Sequence, residues 1–269
     1  MMTRNDPSPL SAHLMRNPLP NKKEKPITAP LISVVIPAFN EEIFIRETID
    51  SVIRSSALYP GPIEIIVVDN NSTDATARIA RKCGARVVFE PKNQIARARN
   101  TGAKAVQGKH LVFLDADTTI SGDILYKVNQ HLSSGTVIGG GAWVVPDSGW
   151  FGRLIFHLIN ISLSFRNVTV GPFLYCDRGD FEEVGGFDEA YYAAEEFSLA
   201  KGLKEEGKCQ NKKWKIVKYS KSHKIVTSNR KFQRFGGLEM ASQNAHLVWN
   251  THQKLKQKSQ CRFWYQPKK

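Results

Sequence analysis

From Leu31 onward, short β-branched runs alternate with longer stretches whose apolar residues recur at helical spacing. That alternation builds βαβ units around a mostly parallel sheet, an α/β fold with flanking helices. Leu31–Pro37, Ile63–Asn70, Ala85–Glu90 and His110–Asp115 predict strands. Glu41–Ser55, Asp74–Lys82 and Gln94–Val106 predict helices, each opened by acidic or polar residues where unpaired N–H groups need acceptors. The apolar run Thr136–Val145 is interrupted by Gly139, Gly140 and Gly141, and predicts a strand that another backbone or a ligand approaches closely. Beyond it the pattern is less regular. Trp150–Phe165, Glu195–Glu206 and Lys231–Asn250 read as helices and Lys213–Tyr219 as a strand.

With 41% apolar and 10% aromatic residues among 269, the chain can bury a substantial core, which excludes global disorder. Residues 1–30, with Pro7, Pro9, Pro18 and Pro20, read as a disordered leader without the apolar centre of a secretory signal. Leu154–Phe165 contains His157, Asn160 and two serines and is too short to span a bilayer. Cys83, Cys176, Cys209 and Cys261 show neither zinc nor disulfide spacing, which favours a reducing, cytoplasmic setting. The net charge of +13 first suggests nucleic acid or anionic lipid as partner. Its distribution changes that picture: residues 31–200 are net −5, whereas residues 201–269 are net +15.

In an open α/β sheet, ligands bind outside the carboxyl ends of the strands. Here the first strand runs into Pro37-Ala38-Phe39-Asn40-Glu41, the second into Asp69-Asn70-Asn71-Ser72-Thr73-Asp74, and the fourth into Asp115-Ala116-Asp117. Asn40 and Asp74 also suit helix caps, and Asp69-Asn70-Asn71 a turn. Asp115 and Asp117 are harder to explain as local structure, because paired carboxylates after a buried strand repel each other without a cation. Oxygen-only ligation suits Mg²⁺ or Mn²⁺, completed by water and substrate phosphates. Neither a Gly-x-x-x-x-Gly-Lys loop nor a Gly-x-Gly-x-x-Gly follows the first strand.

Val34 to Glu41, Val67 to Asp74 and Asp115-Ala116-Asp117 resemble the signature of glycosyltransferase family 2, with its nucleotide-sugar-binding GT-A fold. Ala96 to Ala103 and Arg178 to Glu189 are similar to two further family segments, so the resemblance covers about residues 31–235. It implies a nucleotide-binding half at 31–118, an acceptor half at 119–235, and a basic helix and tail at 236–269. Pro37, Ala38, Asn40 and Glu41 would border the nucleoside and Asp69 would hydrogen-bond the base, with Asn71 among the donor-binding residues. Asp115 would touch ribose or sugar, Asp117 would ligate Mn²⁺ or Mg²⁺, and Arg97 would lie near the donor phosphates or sugar. The family's base sits in a Glu-Asp pair. Here Glu195-Glu196 stands instead, which places Glu196 as base or shifts that role to Glu195. Arg230, in a basic turn, would close over the pyrophosphate. His223 would complete the metal shell as a late histidine does in some relatives, although a lone histidine is more often structural.

The resemblance implies metal-dependent transfer from a nucleotide sugar, most often a UDP-sugar, to a hydroxyl acceptor such as a saccharide or a lipid-linked alcohol, inverting if Glu196 is the base. Absence of the Gln-x-x-Arg-Trp element favours single addition. A nucleotidyltransferase acting on a sugar phosphate would want a glycine-rich basic loop in place of Ala38-Phe39-Asn40-Glu41. A non-catalytic binding module would use the basic C-terminus on nucleic acid or anionic membrane. Within the enzyme reading no nucleic acid is expected, and Phe263, Trp264 and Tyr265 among tail lysines suit peripheral contact with an anionic membrane.

Overall fold

The apolar runs become the strands of a seven-stranded sheet in a computed structural model that describes residues 31–165, 171–230, 254–257 and 261. Its first half is parallel. Strands β1 (Ile32–Ala38), β2 (Ile63–Asp69), β3 (Arg86–Phe89) and β4 (His110–Leu114) lie in the order β3-β2-β1-β4. Ile32 pairs with Ile63 and Ala38 with Asp69, so β1 and β2 end at one rim. Every residue of β1 and β4 is buried, as central strands covered on both faces require.

Helices α1 (Ile45–Ser56), α2 (Thr76–Lys82) and α3 (Ile95–Ala105) fill the first three connections. The two-residue period of β1 divides the core. Ile32, Val34 and Ile36 pack with Ile45, Ile49 and Val52 of α1, while Val35 joins Ala96, Ala98 and Ala103 of α3. Gly102 brings α3 onto the sheet, since a Cβ there would collide with Val35 and Val68. The first helix starts at Ile45, later than Glu41 as the sequence suggests, because Glu41 opens a turn whose carbonyl accepts the N–H groups of Phe44 and Ile45.

The second half adds β5 (Thr118–Gly122), α4 (Ile124–Ser133), β6 (Val137–Ala142), β7 (Val145–Pro146), α5 (Trp150–Phe165) and β8 (Phe173–Asp177), then α6 (Arg178–Glu183), α7 (Glu195–Cys209), β9 (Lys213–Val217) and β10 (His223–Thr227). The large sheet continues β4-β8-β6-β9, with β8 antiparallel to both neighbours. A small sheet, β5-β10-β7, starts directly after the Asp115-Ala116-Asp117 loop. The glycines of β6 serve backbone approach: a Cβ on Gly140 would collide with the Lys215 carbonyl of β9. The helix expected at Lys231–Asn250, the leader and most of the basic tail lie outside the described residues. Among the described residues, no helix is long and apolar enough to cross a membrane.

Candidate active site

The rim where β1, β2 and β4 end carries an open cleft of about 670 Å³, lined by Pro37, Ala38, Phe39, Glu41, Asn70, Asn93, Ile95, Asp115, Ala116, Asp117 and Arg230. Two turns hold its first wall. Asn40 has φ 53°, donates its N–H to Ser72 Oγ at 3.0 Å, and accepts the Thr73 N–H at 2.8 Å. Asp69 accepts the Ser72 N–H at 3.0 Å. Asn40 and Asp69 thus lock the turn and are not part of the cleft lining, and Asn71 stands exposed at φ 67°. Its neighbour Asn70 is buried, 4% exposed. It lines the cleft, donates to the carbonyls of Glu90 and Lys92, and accepts the Gln94 N–H at 2.9 Å. Asp74, one residue ahead of the Ala75 N-cap of α2, accepts the Thr76 N–H at 2.9 Å.

The far wall is ionic. Arg230 places both guanidinium ends on Glu41, at 2.7 and 2.5 Å, and lies 3.0 Å from Asp117 Oδ2. The Ser228 N–H donates to the Asp117 carbonyl at 3.0 Å, which fixes the basic turn against the Asp115-Ala116-Asp117 loop. Arg97 pairs with Glu90 at 3.3 Å and Glu189 at 2.7 Å and is not one of the residues that line the cleft. Its neighbour Arg99, unassigned from sequence, is 2% exposed and joins the two halves of the site. It donates to Asp115 Oδ1 at 2.8 Å, to Glu195 Oε1 at 2.5 Å and to the Gly171 carbonyl at 3.3 Å. The two carboxylates keep its guanidinium charged despite complete burial. The available signal was an arginine on the same α3 face as Ala96 and Ala103, where an unpaired charge would be costly.

Glu195 and Glu196 open α7 after Ala194, whose φ is 59°. Glu195 is almost fully buried against Arg99, whereas Glu196 is partly buried. Gly171 gives Glu196 its space: a Cβ there would stand 2.6 Å from Glu196 Oε1. Burial, then the charge of Glu195, raises the Glu196 carboxyl to about 7, with Arg99 opposing. A carboxylate tuned to that range both accepts and releases a proton near neutrality.

His223 is buried, 6% exposed, with Nδ1 2.9 Å from Asp123 and Nε2 2.8 Å from the Lys218 carbonyl. It lies at the end of β10 remote from Asp117, since Thr227 pairs with Thr118 and His223 with Gly122. Among the described residues, no group of three or more His, Cys, Asp or Glu is arranged to hold a metal. Asp115 and Asp117 fit a hard divalent ion as two oxygen donors on a cleft of mixed polar and apolar lining, with water and phosphate to complete the shell. Part of the tail returns to this region. The Leu255 carbonyl accepts the Tyr192 N–H at 2.8 Å, Lys256 lies 4.9 Å over the Tyr191 ring, and Cys261 is buried, with Sγ donating to Leu255.

A family model described as Glycosyl transferase family 2 matches residues 33–181. Glycosyltransferase AglE of Haloferax volcanii is 32% identical over 174 residues, covering 60% of this chain and 57% of that protein. Across the curated relatives, the chain spans between 21% and 57% of a relative's own length. Two solved structures share the GT-A fold. S. aureus TarS 1-349 in complex with UDP-GlcNAc superposes with TM-score 0.56 at 20% identity, covering 73% of this chain and 58% of that one. Mannosyltransferase PcManGT of Pyrobaculum calidifontis, in complex with GDP-Man and Mn²⁺, gives TM-score 0.55 at 19% identity, covering 88% and 70%.

Proposed function

The chain belongs to glycosyl transferase family 2, and from that premise we propose that it transfers a sugar from a nucleotide-sugar donor to a hydroxyl acceptor. The observation that carries the reading is the linkage of cleft to base: Asp115 lines the cleft, Arg99 ties it to Glu195, and Glu196 follows with its carboxyl near 7. In this reading Pro37, Ala38 and Asn70 border the nucleoside, and Arg230 meets the diphosphate. Asp115 and Asp117 would hold Mn²⁺ or Mg²⁺, which supplies positive charge against the departing diphosphate. TarS with UDP-GlcNAc and PcManGT with GDP-Man and Mn²⁺ support a nucleotide-sugar donor; within the proposal a UDP-sugar is the first candidate and a GDP-sugar the second.

Glu196, ionised, accepts the acceptor's hydroxyl proton as that oxygen bonds to the anomeric carbon and the bond to the phosphate oxygen breaks. One displacement inverts configuration. Arg99 and Glu195 act as positioning residues: the guanidinium holds Glu195, and the Glu195 charge helps keep the Glu196 pKa high. Transfer is non-processive, to a saccharide or lipid-linked alcohol, at the cytoplasmic side. The test is nucleotide release from a panel of UDP- and GDP-sugars with Mn²⁺, in the parent, Asp117→Asn and Glu196→Gln. At least one donor is expected to turn over, with each variant lower by about 100-fold or more. Equal rates in all three proteins overturn the assignment.

A further inference from the structure

We propose that α5, together with the lysine-rich turn between β9 and β10, is a docking surface for an anionic lipid membrane. Trp150, Leu154 and Leu158 recur every fourth residue and form one stripe on α5, exposed by 77%, 47% and 58%. Arg153 and His157 are exposed beside them. A contiguous apolar stripe of this kind on a charged protein marks an interaction site.

The charge around the stripe selects the occupant. Residues 148–176 contain no Asp or Glu, and residues 213–224 contain five lysines and no acidic residue. The two elements are bridged by Trp143. The Lys218 ammonium lies 5.9 Å over the Trp143 ring, and Trp143 meets His157 of α5 edge-on at 5.3 Å. Trp143 Nε1 also donates to Ser164 Oγ at 2.7 Å. In the turn, Tyr219 is 46% exposed with the Lys224 ammonium 6.0 Å from its ring. Apolar side chains set among lysines and interfacial aromatics, with no acidic neighbour in either segment, match an anionic lipid headgroup layer. At 16 residues α5 is about 24 Å long, short of a bilayer's hydrocarbon core and suited to lying in the interface.

Both ends of the α5 segment reach the catalytic region. Before it, Pro146 of β7 pairs with Thr227, which pairs with Thr118 next to Asp117. After it, Gly171 contacts Arg99 and Glu196. An amphiphilic acceptor at the membrane would therefore meet the protein beside its base. That consequence rests on the transfer reading; the docking itself does not, and its test uses no donor.

The experiment is co-sedimentation of the full chain with vesicles of phosphatidylcholine alone and of phosphatidylcholine mixed with phosphatidylglycerol. Two variants are compared with the parent: W150S/L154S/L158S and K218E/K221E/K224E. All substituted positions are at the surface, and coincident thermal melts establish that the variants fold. The parent is expected to bind the mixed vesicles selectively and to lose binding at high salt, and each variant to bind about tenfold more weakly or worse. The proposal is overturned by a parent that ignores anionic vesicles, by an α5 variant that binds like the parent and so leaves the tail lysines as the contact, or by dimerisation without lipid that the α5 variant abolishes.

Discussion

At Glu196, pH separates a catalytic role from a structural one. Burial and the Glu195 charge lift its carboxyl from 4.5 to about 7. Between those values the folded chain keeps a proton that the unfolded chain has released. Its contribution to stability is therefore largest in acid and is lost as pH rises toward and through 7. The shift corresponds to a cost of about 3 kcal/mol at pH 8 and about 1 kcal/mol at pH 5. Glutamine has nearly the same shape and does not ionise. Glu196→Gln is expected to exceed the parent in stability by about 2–3 kcal/mol at pH 8, and by about 1 kcal/mol or less at pH 5, while losing transfer. Urea unfolding of both proteins at both pH values measures this without any substrate. A variant less stable than the parent at pH 8, or a difference that does not change with pH, would refute the reasoning.

Arg99→Met leaves Asp115 and Glu195 facing each other without their cation, so stability should fall by about 3–5 kcal/mol, read as a lower urea midpoint. Because Arg99 opposes the rise of the Glu196 pKa, the acid limb of the variant's residual transfer should move to higher pH; an unmoved or acid-shifted limb contradicts the network. His223→Gln removes the bonds to Asp123 and the Lys218 carbonyl, so it should cost about 1–2 kcal/mol of stability and leave Mn²⁺ affinity, measured by titration calorimetry, within about twofold of the parent. A tenfold weaker Mn²⁺ affinity would return His223 to the metal shell.

The parallel half was readable because β1, β2 and β4 are continuous apolar runs, each followed by a polar loop, and strand ends of that kind locate the cleft. Strand β8 was not. Phe173–Asp177 is five residues long, and its burial depends on insertion between β4 and β6, which lies in no local pattern. Strands β5, β7 and β10 escaped for the same reason: their small sheet exists only through pairings between residues about 80 to 110 apart. At the site, Asp115, Asp117, Glu41 and Arg230 were legible as charges at strand ends. Asn70 and Asn71 are adjacent amides, and only the αL turn at Asn71 decides which one faces the cleft. Arg97 and Arg99 pose the same problem on α3, where partners on distant segments, Glu189 and Glu195, determine which arginine belongs to the catalytic region.

Arg99 also bears on how the chain divides. A cut after residue 118 looks natural in the sequence, separating a nucleotide half from an acceptor half. Its guanidinium is held by Asp115 from the first part and by Gly171 and Glu195 from the second. The first fragment alone would keep Arg99 with Asp115 but lose Glu195 and the Gly171 carbonyl, and the second would keep Glu195 without its cation. Halves drawn from different relatives would face the same mismatch unless both ends of the contact were carried together. Residues on both sides of position 118 therefore share one buried ion-pair network.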